Sequence, residues 1–290
     1  MIRTIKVCAG IGDNIWLLQK LINSGGRFNF ELPDGKPQRG SAVFDLLPQV
    51  AVSSSYVKGL NYKTLAAKTE RGKFSDITAD SFHLSCNEHL EHGRPLTAFL
   101  PDLKISYKLP WGMPSPDRNE LLQGYLLDKI NKAGGKFIGI YGSAYSTQRA
   151  WKQYGAWGVA EWLQLIRMIH AKDPSYTFVI IGAEWDNDFA TELIKQLGDI
   201  RYINTVGEPL TTFMQWTKLF HYAFYFPSGL PILSETIEGA SDCTMFYTTN
   251  IAKIMGTWCD PERRAGNKFK ECLFCSPAAI FDWCVNNGKI

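Results

Sequence analysis

The sequence predicts an α/β chain of two Rossmann-like halves that face a central cleft. Three observations lead there. Strand-like and helix-like stretches alternate along the 290 residues, without an internal repeat or low-complexity segment. The alternation pauses at a Pro-rich stretch with Pro101, Pro110, Pro114 and Pro116, and then restarts. Glycines and small hydroxyl residues follow several strands, where open parallel sheets bind ligands. The expected organisation is 1–125, a first Rossmann-like half; 126–275, a second Rossmann-like half; and 276–290, a closing helix.

Each element has a local reason. Residues 2–8 read as a strand, and Ile15, Leu17, Leu18, Leu21 and Ile22 recur at helical spacing from Asp13 onward. Gly25-Gly26 ends that helix, and 28–32 reads as a second strand. Residues 41–47 read as a short helix and 53–80 as irregular and Lys-rich. Helices are expected at 87–92 and 119–132. The second half reads strand 136–141, helix 158–170, strand 177–181, helix 189–197 and strand 200–203. Helix 210–220, strand 222–226 and helix 230–239 follow, and helix 277–285 is capped by Ser276.

Composition narrows the class. At 45% hydrophobic and 20% charged residues the chain has the makings of a core, which excludes a disordered polymer. A net charge of +3 is too mild to mark a dedicated nucleic-acid binder. No apolar run approaches the ~20 residues that span a membrane. The N-terminus reads as a strand rather than a signal peptide, and seven scattered Cys suit a reducing compartment, so a cytoplasmic location is expected.

The chemistry is expected in the strand-to-helix turns. Gly10-Ile11-Gly12-Asp13 permits close backbone approach of a ligand at Gly12, and Asp13 either caps the first helix or points into the cleft. It is not G-x-G-x-x-G, because position 15 is Ile. The loop after 136–141 offers Ser143, Ser146 and Thr147, then Arg149 and Lys152, which suit a pyrophosphate or form an ordinary polar loop. Pro227-Ser228-Gly229 opens a helix and is either an anion site or a capped turn. The 56–74 stretch carries Lys58, Lys63, Lys68, Arg71 and Lys73 among Tyr56, Tyr62 and Phe74. It is either a solvated loop or a surface for a phosphate-bearing acceptor.

No metal is expected. His83, Cys86, His89 and His92 would spread over more than one helix face. Cys259, Cys272, Cys275 and Cys284 match no common zinc spacing. Asp186-Asn187-Asp188 reads first as acids opening a helix.

These residues resemble a family. Gly10-Ile11-Gly12-Asp13 after a first strand resembles the opening of the ADP-heptose–lipopolysaccharide heptosyltransferases, glycosyltransferase family 9, of GT-B fold. Ile138 to Ser143 followed by Arg149-Ala150-Trp151, the strand Phe178 to Gly182, and the segment Tyr225 to Gly239 resemble later elements in the same order. The resemblance implies a metal-independent, inverting transferase that needs no cofactor beyond its nucleotide-diphosphate-sugar donor. Asp13 would be the general base, with Gly12 beside it. Ser143, Arg149 and Lys152 would hold the donor diphosphate, with Ser228 and Gly229 contributing. The family's Asp-Thr-Gly-x-x-His turn is here Pro227-Ser228-Gly229-Leu230-Pro231-Ile232, so the acid and the histidine are absent.

The Ser-Gly-Leu turn and Cys-rich tail are similar to autotransporter heptosyltransferases. The chain also resembles heptosyltransferase-like proteins of bacteriophages. The favoured expectation is therefore a hexosyl- or pentosyltransferase acting on 5-hydroxymethylpyrimidine in phage DNA, for example 5-hydroxymethylcytosine. Lys63, Lys68 and Arg71 would bind that acceptor. The alternatives are a heptosyltransferase-like enzyme of lipopolysaccharide or surface-glycan synthesis, and a non-catalytic nucleotide-sugar or nucleic-acid binding module.

Overall fold

A computed structural model describes residues 2–6, 11–23, 27–33, 43–44, 46–47, 51–57, 104–112, 116–143, 157–226, 228–246, 269–270 and 275–290. The chain divides into two compact units. The first comprises Met1–Gly112, Ile232–Glu238 and Thr249–Ala265, and the second Met113–Pro231, Gly239–Thr248 and Gly266–Ile290.

The first unit contains β1 (Ile2–Lys6), α1 (Ile11–Leu21), β2 (Arg27–Pro33) and β3 (Ala51–Val57). The strands form a parallel sheet in the order β1-β2-β3, with Ile2 opposite Arg27 and Arg27 opposite Ala51. Parallel neighbours need a crossover, and α1 supplies the one between β1 and β2. Every residue from Asn14 to Leu21 is buried, the polar Asn14, Gln19 and Lys20 included, so α1 is covered on all sides and not only on its apolar face. Phe28 and Phe30 of β2 are buried too, and Phe30 meets Phe44 edge to face at 4.8 Å.

Two expectations change here. The first helix starts at Ile11 rather than Asp13, so Gly12 and Asp13 belong to its first turn and not to the preceding loop. The opening of the stretch read as irregular is strand β3. Ser53-Ser54-Ser55 has weak strand preference, but pairing with Asn29-Phe30-Glu31 supplies the ladder that propensity does not. Residues 104–112 join 235–237 in this unit. The Leu109 amide donates to the Thr236 carbonyl at 2.9 Å, and Trp111 Nε1 donates to Thr236 Oγ1 at 3.1 Å.

The second unit holds α2 (Pro116–Ala133), β4 (Lys136–Tyr141), α3 (Val159–Lys172), β5 (Tyr176–Ile180), α4 (Asn187–Lys195), β6 (Tyr202–Asn204), α5 (Leu210–Leu219) and β7 (Phe220–Tyr225). Helix α6 (Gly229–Thr236) carries the chain into the first unit, and β8 (Cys243–Phe246), β9 (Phe269–Lys270) and α7 (Pro277–Asn286) return to the second. The six strands are all parallel, in the order β6-β5-β4-β7-β8-β9. This is doubly wound connectivity. Successive strands move outward on one side of β4, and the chain then switches to the other side at β7.

Burial follows from that topology. Strands covered on both faces read as continuous apolar runs, and every residue of β5 is buried, as is β4 beyond Lys136. Trp162 of α3 and Trp216 of α5 are fully buried; Trp216 packs edge to face on Phe137 at 5.4 Å and stacks on Phe220 at 6.0 Å. Helix α7 lies against α3. Its start follows the sequence expectation: Ser276 Oγ accepts the Ala279 amide at 3.2 Å, with Pro277 at the first helical position.

Candidate functional site

In an open doubly wound sheet the ligand crevice lies beyond the carboxyl ends of the strands, where the winding direction switches. In the second unit that point falls between β4 and β7, which pair directly from Ile138–Tyr222 to Tyr141–Tyr225. The Ile181 amide donates to the Ile140 carbonyl at 2.9 Å, and the Phe226 amide to the Tyr141 carbonyl at 2.7 Å. The ends of β5, β4 and β7 are thereby held side by side. The turns that leave them carry Trp185-Asp186, Ser143 and Ser228-Gly229 respectively.

The turn after β4 is fixed by close packing. A Cβ on Gly142 would lie 2.4 Å from Phe189 Cζ and 2.9 Å from Trp162 Nε1, so only glycine lets the backbone lie against those rings. Trp157 meets Trp162 edge to face at 5.1 Å and donates from Nε1 to the Cys275 carbonyl at 2.7 Å. Ser143 follows and is buried; its hydroxyl donates to Asp186 Oδ1 at 2.8 Å.

Asp186 closes a 3-10 turn, Glu184–Asp186, that leaves β5. Its Oδ2 accepts the Ala183 amide at 2.9 Å, and its Cβ abuts Gly182, where an added Cβ would come within 2.8 Å. The carboxylate therefore turns back to the strand ends and makes no cap bond to α4. Asp188 is exposed in the first turn of α4. The two acids of the Asp-x-Asp string thus face different environments, one buried on Ser143 and one in solvent. Among the described residues no group of three His, Cys, Asp or Glu side chains gathers as metal ligands do.

Ser228 precedes α6 and accepts the Leu230 amide on Oγ at 3.3 Å, a capping contact. Its hydroxyl proton is left to donate elsewhere. Gly229, the first residue of α6, is half-buried. The remaining first-turn amides of such a helix favour an anion.

A second polar cluster stands at the end of β6. Lys129 of α2 pairs with Glu208 Oε1 at 2.6 Å, donates to the Asn204 carbonyl at 3.3 Å and lies 4.3 Å from the Tyr125 ring centre. The Tyr125 hydroxyl donates to the same Glu208 oxygen. Burial alone would lower the Lys129 ammonium, but hydrogen bonds to Glu208 and Tyr125 hold it above its usual range. Burial and then the Glu208 carboxylate raise the Tyr125 phenol.

The expected site residues distribute as follows. Ser143, Ser228 and Gly229 are brought to neighbouring strand ends of the second unit. Gly12 and Asp13 lie in the first turn of α1, with Gly12 buried. Arg149, Lys152, Lys63, Lys68 and Arg71 lie outside the described residues, as do His83, Cys86, His89, His92, Cys259 and Cys272. Cys284 is buried in α7. The Ser143–Asp186 pairing leaves no signal in the sequence, because the two residues stand 43 positions apart.

The fold defined by these two units is that of the GT-B glycosyltransferases, with Rossmann-like domains built on parallel sheets. The chain is similar to the glycosyl transferase family 9 structure from Veillonella parvula DSM 2008, with a TM-score of 0.59 at 11% identity over 99% of this chain and 96% of that one. It is also similar to E. coli ADP-heptose lps heptosyltransferase II, with a TM-score of 0.57 at 13% identity over 99% and 98%. E. coli heptosyltransferase WaaC with ADP gives 0.53 at 12% over 100% and 98%. No family model matches the sequence, and no curated protein matches it. Among the described residues no helix is long and apolar enough to cross a membrane.

Proposed function

We propose that the protein is a heptosyltransferase-like glycosyltransferase that moves a sugar from a nucleotide-diphosphate donor to an acceptor hydroxyl, with inversion and without a metal. The observation that carries this reading is the row of turns leaving β5, β4 and β7 at the winding switch of the second sheet. Three solved structures of the same fold support it: a glycosyl transferase of family 9, an ADP-heptose lps heptosyltransferase and a heptosyltransferase with ADP.

In this reading Asp13 removes the proton of the acceptor hydroxyl. The acceptor oxygen bonds to the anomeric carbon as the bond from that carbon to the diphosphate oxygen breaks. Negative charge grows on the leaving diphosphate, where the amides opening α6 and the Ser228 hydroxyl proton stabilise it. Ser143 acts indirectly. Its proton is engaged by Asp186, so it anchors the β4 turn, while Arg149 and Lys152 supply the cations for the diphosphate.

A surface-glycan acceptor, such as a lipopolysaccharide precursor, is favoured over DNA by the similarity to an ADP-heptose lps heptosyltransferase. The DNA reading rests on Lys63, Lys68 and Arg71, to which the structure adds nothing. The test incubates the enzyme with a pool of nucleotide sugars and either a lipid-linked glycan or hydroxymethylated DNA, followed by mass analysis of each acceptor. A sugar increment that disappears in Asp13→Asn, with donor binding kept, supports the mechanism. An increment only on the hydroxymethylated nucleoside reverses the choice of acceptor. Donor binding with no transfer to either acceptor would leave a binding module, consistent with the missing acid and histidine at 227–232.

A further inference from the structure

We infer that one face of α5, formed by Thr212, Gln215 and Trp216, holds a small cluster of internal water molecules. The observation that carries this is a set of buried polar atoms with no protein partner: Thr212 Oγ1, Gln215 Oε1, Gln215 Nε2 and Trp216 Nε1. Thr212 is 1% exposed and Trp216 is fully buried. Gln215 is half-buried as a residue, yet both polar atoms of its amide are closed off from the surface. A buried donor or acceptor left dry is costly, and folded proteins rarely tolerate one.

The other buried threonines of the second unit show how such groups are ordinarily served. Thr177, Thr205 and Thr217 donate to the Gly134, Ile180 and Met214 carbonyls at 3.0, 2.9 and 2.8 Å. The Thr244 hydroxyl pairs with the Tyr222 hydroxyl at 2.7 Å. Thr212 differs because of its place in the first turn of α5. The Pro209 carbonyl, one turn back, already accepts the Thr212 amide at 2.9 Å and the Phe213 amide at 3.4 Å. Trp216 packs edge to face with Phe137 and stacks on Phe220, contacts that fix its ring without an oxygen acceptor.

The spacing suits a shared ligand. Positions i, i+3 and i+4 are neighbours on a helix surface, with Cβ atoms roughly 5–6 Å apart. Two hydrogen bonds through one water span about the same distance. The chemistry of the set selects water. Trp216 Nε1 and Gln215 Nε2 only donate, Gln215 Oε1 only accepts, and the Thr212 hydroxyl does both. The N–H donors disfavour a cation, and the stretch 210–217 carries no charge to balance an anion. A neutral molecule that both donates and accepts satisfies all of them, and water is the smallest. Helix α5 lies against β4 and β7, so this water is internal to the second unit, beside the two strands of the winding switch.

The experiment records water-selective NOE and ROE spectra of the isotope-labelled wild-type chain, without added nucleotide. The expected result is a water cross-peak at the Trp216 indole N–H and at the Gln215 side-chain amide. NOE and ROE of opposite sign mark a long-lived bound water rather than surface hydration. Thr212→Val removes one partner and keeps the side-chain shape. Both cross-peaks should weaken in it, and the melting temperature should fall by about 2–4 °C. Absence of either wild-type cross-peak overturns the site, and this test stands whether or not the variant folds. Cross-peaks of unchanged intensity in Thr212→Val show that Thr212 shares no water with the others, and overturn it too. A melting temperature unchanged or raised in Thr212→Val marks a dry, unsatisfied hydroxyl and likewise overturns it.

Discussion

The hydroxyl of Ser143 and the carboxylate of Asp186 meet at 2.8 Å, both buried, and tie the turn after β4 to the turn after β5. Removing one partner of a buried hydrogen bond leaves the other unsatisfied, at a cost of about 1–3 kcal/mol. Ser143→Ala is therefore expected to lower unfolding free energy by about 1–2 kcal/mol in urea titration. Asp186→Ala, which also releases the Ala183 amide, is expected to lower it by more. Wild-type midpoints in both variants would show that the pair does not anchor the turns.

The glycines offer opposite outcomes from one substitution. At Gly142 a methyl group would press on Phe189 and Trp162, and overpacking of this kind costs about 1–3 kcal/mol. At Gly124, inside α2, an added Cβ meets nothing within 4 Å. Gly124→Ala is expected to stabilise the chain by about 0.5–1 kcal/mol through helix propensity. Thermal melts of the two variants should move in opposite directions.

Lys129 and Glu208 form a partly buried pair, with side chains 22% and 16% exposed. Removing one partner leaves the other charge half-desolvated. A double-mutant cycle with Lys129→Met and Glu208→Gln is expected to give a coupling of about 1–2 kcal/mol. Tyr125→Phe should reduce that coupling, because its hydroxyl shares the Glu208 oxygen. A coupling abolished by high salt would mean that the pair behaves as a surface contact.

His221 of β7 should make stability rise with pH. Partial burial, and then the nearby Lys136 ammonium, lower its proton affinity below the ordinary 6.5. Between the folded value and 6.5 the unfolded chain binds more protons than the folded one. Stability therefore climbs through that window and levels off above it. Melting temperatures from about pH 5 to pH 7.5 should show the rise in the wild-type chain and a smaller one in His221→Gln. Identical profiles would remove His221 as the cause.

Much of the fold was legible locally. Strand 136–141 agrees with β4 to the residue, and Ser276 caps α7 as its position before Pro277 implies. Local rules succeed there because one element's own side chains and backbone satisfy them. They fail where a distant segment supplies the reason. The serines of β3 extend because β2 lies beside them, and Asp186 leaves its helix start uncapped because Ser143 offers a donor.

The sequence alone determined the alternation of strands and helices, the small-residue turns after the strands and the type of chemistry those turns suit. These follow from periodicity, chain punctuation and side-chain functional groups, which are properties of neighbouring residues. Only the tertiary structure decided the strand order β6-β5-β4-β7-β8-β9 and the return of 232–238 to the first unit. It also decided the burial of Ser143 on Asp186. Those depend on which distant segments pack together, and packing is settled by the whole core at once rather than by any one stretch of chain.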